Sequence, residues 1–257
     1  MNNNPIGLFD SGIGGTSIWQ AIHELLPNEN TIYLADSRNA PYGQRSKEEI
    51  IALSIKNTEL LLEFNAKIIV VACNTATTNA IKELRQKYAV PFIGIEPAIK
   101  PAATHSATQV IGVLATQGTL TSELFYNAVL QYKNVKIIEQ VGHGLVPLIE
   151  NGDLNSKEME ELLLTYLTPM IEANMDYLVL GCSHYPYLIP MIQKILPESI
   201  KIIDSGNAVA QQTEYILKEK VGLSNSILPK NIFYSNSDTR VLNEILKHQF
   251  DVFYKDF

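Results

Sequence analysis

The chain contains two cysteines, Cys73 and Cys182, and each directly follows a short apolar run. The runs are Ile-Ile-Val-Val-Ala at 68–72 and Tyr-Leu-Val-Leu-Gly at 177–181, and a helical pattern begins after each cysteine. Ligands of open parallel sheets bind at the carboxyl ends of strands. A thiol in that position faces the next helix, whose free N–H groups and dipole favour the thiolate. The spacing therefore predicts two reactive thiols that converge on one cleft.

Other interpretations of the cysteines stay open at this point. By number alone, two cysteines are most often small buried hydrophobic residues. A structural disulfide does not fit the reducing compartment that the rest of the sequence indicates. No C-x-x-C spacing occurs, and Cys182 with His184 makes a poor zinc site, so no metal is expected.

The segment DSGIGG at residues 10–15 follows the first predicted strand and is a second candidate for chemistry. It is not a dinucleotide-binding fingerprint, because the third glycine of G-x-G-x-x-G would fall on Ser17. Either it is a tight turn, or its amides form a nest for a ligand carboxylate, with Asp10 as a base or as the partner of an ammonium group. Tyr42 and Gly43, after the second predicted strand, either close over a ligand or form a surface turn.

Further polar side chains lie close to the cysteines in sequence. His184 lies two residues after Cys182, which favours general acid–base support over an isolated structural histidine. Glu150 either faces the cleft or is an ordinary exposed glutamate at a helix end. Polar groups that could bind a ligand carboxylate follow both cysteines: Asn74, Thr75 and Ser183.

Short apolar runs alternate with helical patterns along the chain, which predicts βαβ units and a parallel sheet. The predicted strands lie near residues 6–9, 32–34, 68–71, 92–95, 110–114, 135–138, 177–180 and 202–203. Trp19 falls on the apolar face of a helix after the first strand, and Ser46 with Glu49 forms a capping box before another long helix. The predicted fold class is therefore α/β.

The order of these elements indicates a duplication. The run at 6–9 resembles the run at 111–114, and the segment at 70–75 resembles the segment at 179–184, with offsets of 105 and 109 residues. We therefore expect two similar α/β domains with mainly parallel sheets, related by a pseudo-twofold axis, with the active site in the cleft between them. The predicted boundaries are 1–97 plus 208–257 for the first domain and 98–207 for the second.

Composition excludes several classes of protein. The net charge of −7 and the pI near 5.3 argue against nucleic-acid binding, which usually requires a basic surface. No apolar run approaches the roughly 20 residues that span a bilayer. Residues 1–5 lack the basic and apolar regions of a signal peptide. We therefore expect no membrane contact and a cytoplasmic location.

Four motifs together resemble the glutamate racemase family. They are GLFDSGIGG at 7–15, PYG at 41–43, CNTA at 73–76 and GCSHYP at 181–186, in the family's order and spacing. The resemblance extends from the first strand to about residue 210. It implies interconversion of L- and D-glutamate without a cofactor, and supply of D-glutamate for peptidoglycan in a bacterium.

Residue by residue, the resemblance implies a set of roles. Cys73 and Cys182 match the catalytic cysteines, the first abstracting the α-proton of D-glutamate and the second that of L-glutamate. The supporting polar groups that match are Asp10, Glu150 and His184. The substrate-binding positions that match are Asp10, Ser11, Tyr42, Gly43, Asn74, Thr75, Ser183 and His184. The family usually has threonine where this chain has Ser183; the hydroxyl is retained, and the missing methyl is worth roughly 1 kcal/mol if buried.

Two alternatives remain. One is a related racemase for aspartate or a hydantoin, although aspartate racemases tend to carry glutamate at the position of His184. The other is a non-catalytic amino-acid binding or redox-sensing protein that uses the same cleft and both cysteines. The expected partner is a small-molecule substrate, and the oligomeric state stays open between monomer and homodimer.

Overall fold

The computed structural model describes residues 1–257 and contains ten strands, all in parallel sheets. The strands are β1 (Ile6–Asp10), β2 (Thr31–Ala35), β3 (Ile68–Val71), β4 (Phe92–Gly94), β5 (Val110–Ala115), β6 (Lys136–Val141), β7 (Tyr177–Gly181), β8 (Lys201–Ile203), β9 (Asn231–Ser235) and β10 (Asp251–Tyr254). The first sheet has the order β10-β9-β2-β1-β3-β4, and the second has the order β6-β5-β7-β8. The predicted α/β class with two parallel sheets is therefore confirmed.

Helices connect the strands and cover the sheets. They are α1 (Thr16–Leu25), α2 (Lys47–Glu63), α3 (Asn74–Lys87), α4 (Ile99–His105), α5 (Gln117–Leu120), α6 (Glu123–Val129), α7 (Leu145–Asn151), α8 (Lys157–Glu172), α9 (Ile189–Ile195), α10 (Gly206–Ile216) and α11 (Arg240–Ile245). Helix α2 begins with the predicted capping box, in which Ser46 and Glu49 each accept a hydrogen bond from the other's backbone N–H. None of the helices combines the length and the apolar character that a membrane crossing needs.

The two sheets share one strand order, which accounts for the sequence repeat. The order β2-β1-β3-β4 in the first sheet corresponds to β6-β5-β7-β8 in the second. Strands β9 and β10, which the sequence analysis did not predict, extend the first sheet beyond β2. The C-terminal segment therefore returns to the first sheet, as expected, while the domain boundaries at 97/98 and 207/208 stay a prediction.

The core joins both halves of the molecule. Strands β1 and β3 are buried along their whole length, as expected for central parallel strands that are covered on both faces. Trp19 is 3% exposed and packs edge-on against Phe233 of β9, so its predicted place in the core is confirmed. The largest apolar cluster contains residues of both sheets, such as Leu8 and Leu180. The two halves therefore pack directly on each other.

A buried ion pair joins four segments that are distant in sequence and gives a first prediction. Lys67 Nζ lies 2.6 Å from the Glu29 carboxylate and donates to the carbonyls of Asn2 and Gly222, and both charged side chains are at most 3% exposed. Lys67→Ala leaves Glu29 buried without its cation, so we expect the free energy of unfolding to fall by about 3–5 kcal/mol.

Urea unfolding measures this loss, and Lys87→Ala is the control. Lys87 pairs with Glu59 at 3.0 Å, but both side chains are about half exposed. Removing that surface pair should change the free energy of unfolding by less than about 1 kcal/mol. Equal losses in the two variants would contradict a stabilising role for the buried pair.

Candidate active site

The ends of four strands bring the predicted site residues together. Asp10 ends β1, and Cys73 lies two residues past the end of the neighbouring strand β3. Thr116 and Cys182 directly follow the equivalent strands β5 and β7, which are also neighbours. In each sheet the chain reverses its direction of strand addition between these two strands, which is where open parallel sheets bind ligands.

Cys73 caps the N-terminus of α3. Its Sγ accepts a hydrogen bond from the Ala76 backbone N–H at 3.4 Å and lies 3.8 Å from Ser11 Oγ. Burial raises the pKa of the Cys73 thiol well above its usual range, the Asp10 carboxylate raises it further, and the Ala76 amide opposes both. The amide at the helix end therefore favours the thiolate, as expected, but burial outweighs it and the pKa is raised.

Cys182 has a different environment, although it occupies the equivalent position. It is followed by a short 3-10 helix at Tyr185–Leu188, and α9 begins only at Ile189. The predicted α-helix N-terminus directly beside Cys182 is therefore absent. In its place, His184 Nδ1 lies 3.8 Å from Cys182 Sγ.

His184 is buried between acidic groups. Its Nε2 lies 2.5 Å from Glu150 Oε1, and its Nδ1 lies 4.0 Å from Asp10 Oδ2. Burial alone would lower the pKa of His184, but the hydrogen bonds to Cys182 and Glu150 and the charge of Asp10 raise it well above its usual range. The raised pKa favours the imidazolium form, which would place a positive charge beside Cys182.

Asp10 is fixed by its own turn. Its Oδ2 accepts hydrogen bonds from the backbone N–H groups of Gly15 at 2.9 Å and Gly12 at 3.3 Å, and its Oδ1 accepts one from Ser183 Oγ at 3.1 Å. Burial raises the pKa of Asp10 above its ordinary value, more than the nearby His184 and the Gly15 amide lower it. The amides of Gly12, Ile13 and Gly15 thus bind protein carboxylates and not a ligand.

Glu150 reaches the same turn from α7. Its Oε1 accepts from the Ile13 backbone N–H at 2.7 Å, and its Oε2 accepts from Ser37 Oγ at 2.9 Å. Two glycines make this approach possible: an added Cβ at Gly12 would lie 2.0 Å from Glu150 Oε1, and one at Gly14 would lie 2.2 Å from His184 Nδ1. Glu150 therefore supports the His184 imidazole from behind the cavity.

A small cavity between the two halves is lined by twelve residues. Nine were predicted from the sequence: Ser11, Tyr42, Gly43, Cys73, Asn74, Thr75, Cys182, Ser183 and His184. Three were missed: Pro41, Thr116 and Val146. Asp10 and Glu150 lie behind this wall, in contact with Ser183 and His184. Both thiols thus line one cavity.

The side chains of Asn74 and Thr75 differ in whether they already have a hydrogen-bond partner. The buried Asn74 amide has no hydrogen-bond partner at either its oxygen or its nitrogen. The Thr75 hydroxyl lies 2.7 Å from the Thr116 hydroxyl, across the boundary between the two halves. Because buried polar groups are nearly always paired, the Asn74 amide is suited to a polar ligand.

The Tyr42 hydroxyl is already occupied. It donates to Asp36 and accepts from the Asn57 amide at 3.1 Å. Burial first, and then the Asp36 carboxylate, raise the pKa of Tyr42 well above its usual range, so it stays a neutral donor. Tyr42 is 1% exposed and holds its part of the cavity wall in place, beside Gly43.

The internal repeat in the sequence could have identified Thr116 as a residue of the site. The first repeat offset of 105 residues places Ser11 opposite Thr116, and both follow equivalent strands. No comparable signal identified Asp36, whose bond to Asn236 joins residues 200 positions apart in sequence. No group of three or more His, Cys, Asp or Glu side chains is arranged to hold a metal ion.

Comparisons with known proteins identify the family to which most of the chain is similar. A profile of the Asp/Glu/Hydantoin racemase family matches residues 6–213. The glutamate racemase of Ralstonia pickettii is 50% identical over 208 residues, which cover 80% of this chain and 74% of that protein.

Solved structures are also similar over nearly the whole chain. Glutamate racemase RacE1 of Bacillus anthracis has a TM-score of 0.90 at 30% identity, covering 100% of this chain and 99% of that one. The Escherichia coli glutamate racemase, in complex with L-glutamate and the activator UDP-MurNAc-ala, has a TM-score of 0.89 at 31% identity, covering 98% of each chain.

Proposed function

This chain belongs to the Asp/Glu/hydantoin racemase family, and on that premise we propose that it is a cofactor-independent glutamate racemase that uses Cys73 and Cys182. The observation that carries the proposal is that the two thiols come from equivalent strand ends and line one cavity. Relatives and similar structures named glutamate racemase support the choice of substrate.

Inversion at the α-carbon requires one group on each side of the substrate. One thiolate breaks the Cα–H bond by taking the proton, and the electron pair stays on the α-carbon. The opposite thiol then donates its proton to the other face, which leaves the first cysteine protonated and the second as thiolate. As the family resemblance implies, Cys73 acts as base toward D-glutamate and Cys182 toward L-glutamate.

The two thiols are supported by different groups in this proposal. Cys73 has a raised pKa, so it must lose its proton before it acts as a base, and the raised pKa of Asp10 suits that carboxyl to receive it. Cys182 lies beside the protonated His184, whose positive charge stabilises a thiolate. Each cysteine thus has a different acid–base partner: Cys73 has the Asp10 carboxyl, and Cys182 has the His184 imidazole.

Substrate binding follows from the remaining polar groups. Glutamate carries two carboxylates and one ammonium group. The Asn74 amide and the hydroxyls of Ser11, Thr75 and Thr116 can donate to carboxylates, and the Asp10 carboxylate lies close enough to the cavity wall to attract the ammonium group. Aspartate, one methylene shorter, cannot reach both ends of this set at once.

The cavity is closed in this structure. Its volume is about 10 Å³, which is room for about one water molecule. Glutamate therefore enters only when the two halves move apart, and closure afterwards excludes water from the carbanion. The proposal extends to a cytoplasmic enzyme whose D-glutamate supplies peptidoglycan, as the family resemblance implies.

Circular dichroism of the purified protein with L-glutamate and no added cofactor tests the proposal. We expect the signal to decay to zero, and D-glutamate to give the mirror-image decay. With L-aspartate we expect kcat/KM to be at least about a hundredfold lower, near the upper limit for one methylene in a shaped pocket.

The alternatives predict different results in the same assay. Comparable rates with aspartate would contradict the proposed specificity. Binding of glutamate, seen by calorimetry, without any decay of the optical signal would instead indicate a non-catalytic binding or sensing protein.

A further inference from the structure

Asn236 lies outside the part of the chain that matches the racemase family, which ends at residue 213. It directly follows β9, and its side chain is fully buried. Its backbone N–H donates to the Ala35 carbonyl at 3.3 Å, at the end of β2. The C-terminal segment therefore places a buried amide next to the loop that leads from β2 to Tyr42 and Gly43.

The amide nitrogen and the amide oxygen of Asn236 both form hydrogen bonds with this loop. The amide nitrogen donates to Asp36 Oδ1 at 2.5 Å and to the Phe257 carbonyl at 3.0 Å. The amide oxygen accepts from the Arg38 backbone N–H at 2.9 Å. Asn236 thus binds the loop through a side chain and through the backbone, and its hydrogen-bonding capacity is used.

Asp36 passes this constraint on to the cavity wall. The carboxylate is fully buried and has no Lys or Arg partner within ion-pair distance; its donors are the neutral groups of Asn39, Tyr42 and Asn236. A buried charge held only by neutral donors depends on each of them, because a lost donor is not replaced by water. Tyr42, which donates to Asp36, lines the cavity together with Cys73.

We propose that Asn236 is a positioning residue of the active site, which orients Asp36 and, through Asp36, the wall formed by Tyr42 and Gly43. It touches neither thiol nor the cavity, so it acts on the binding of substrate and not on proton transfer. The effect on catalysis rests on the proposed racemase function, while the effect on loop order rests on the hydrogen bonds alone.

Asn236→Ala tests the proposal, and Asn231→Ala is the matched control. Asn231 lies at the opposite end of β9, and its side-chain oxygen accepts from Thr31 Oγ1 at 2.7 Å, remote from Asp36. Both variants lose asparagine side-chain hydrogen bonds at an end of β9, although Asn231 is half-buried and Asn236 is fully buried. Hydrogen exchange of the segment 36–44 and the kinetics of both glutamate enantiomers are measured for each.

We expect Asn236→Ala to speed exchange across 36–44 and to raise KM for both enantiomers about tenfold, as for loss of a hydrogen bond to a charged group. The kcat values should change by less than about threefold, because the acid–base groups around the thiols are not disturbed. Asn231→Ala should change neither quantity. Asn236→Asp, which sets a second carboxylate against Asp36, should raise KM more than the alanine variant.

The proposal is overturned if Asn236→Ala and Asn231→Ala give the same exchange and the same KM. If the alanine variant does not fold, the same comparison is made with Asn236→Ser. If the wild-type protein does not racemise glutamate, the proposed function fails, while the exchange of 36–44 still decides whether Asn236 orders the loop.

Discussion

Cys73→Ser and Cys182→Ser should each lower the rate of glutamate racemisation by about 10³-fold or more in both directions. A serine hydroxyl is too weak an acid to exist as an alkoxide at neutral pH, and loss of a positioned acid–base group costs about 10²–10⁴-fold. Both thiols line the same closed cavity, and inversion needs a proton donor and a proton acceptor on opposite faces. Neither variant can therefore complete the reaction.

Each single variant should nevertheless keep half of the chemistry. In D₂O, Cys182→Ser retains the Cys73 thiol and should exchange the α-proton of D-glutamate faster than that of L-glutamate. Cys73→Ser should show the opposite preference. Proton NMR of the α-position measures this exchange, and thermal unfolding curves like those of the wild type confirm that the variants are folded.

These outcomes distinguish two bases from one. Near-normal racemisation by either variant would show that the second thiol is not needed. Exchange of both enantiomers at equal rates in one variant would show that a single group reaches both faces of the substrate.

His184→Ala should slow the reaction from L- to D-glutamate by about 10²-fold, through the step in which Cys182 acts as base. The protonated imidazole lies 3.8 Å from Cys182 Sγ, so its removal takes away the positive charge that favours the thiolate. Cys73 keeps Asp10 and Ser11 as neighbours, so its proton abstraction should be less affected.

Isotope effects are the decisive measurement for His184. The overall equilibrium ties together kcat/KM in the two directions, so rate constants alone cannot locate the slowed step. With α-deuterated substrates, we expect the isotope effect on L-glutamate to rise relative to that on D-glutamate. His105→Ala, which removes an exposed imidazole at the end of α4, is the control and should change neither. An unchanged balance of isotope effects in His184→Ala would contradict the assignment.

Strand ends were predictable because parallel strands leave a strong local pattern. Strands such as β3 and β7 are covered on both faces, so they appear as continuous apolar runs, and a polar residue directly after such a run marks the edge where ligands bind. This pattern by itself identifies Cys73, Cys182 and Asp10. The β9 and β10 strands were missed, because they are only partly buried; β9 pairs with β2, and β10 pairs with β9.

The electrostatics of the site did not follow from the same pattern. The sequence places Cys73 and Cys182 in equivalent positions. In the structure, however, the Cys73 sulfur accepts a hydrogen bond from an amide at a helix N-terminus, whereas the Cys182 sulfur contacts a histidine ring. One interpretation of DSGIGG was that its amides bind a ligand carboxylate. In the structure the Gly15 amide donates to Asp10, and the Ile13 amide donates to Glu150, which is 137 residues away in sequence. Local spacing cannot reveal such partners.

The pattern of apolar residues along the chain therefore predicts which segments are buried and which strand ends carry reactive groups. A buried strand needs several consecutive apolar residues, so it can be recognised from neighbouring positions alone. Only the tertiary structure decided which polar atoms meet, as with Asn236 and Asp36, which are 200 residues apart but follow the adjacent strands β9 and β2. Hydrogen bonds and charge interactions depend on distances of a few ångströms between segments remote in sequence. The raised pKa values of Asp10 and His184 are thus a property of the tertiary structure.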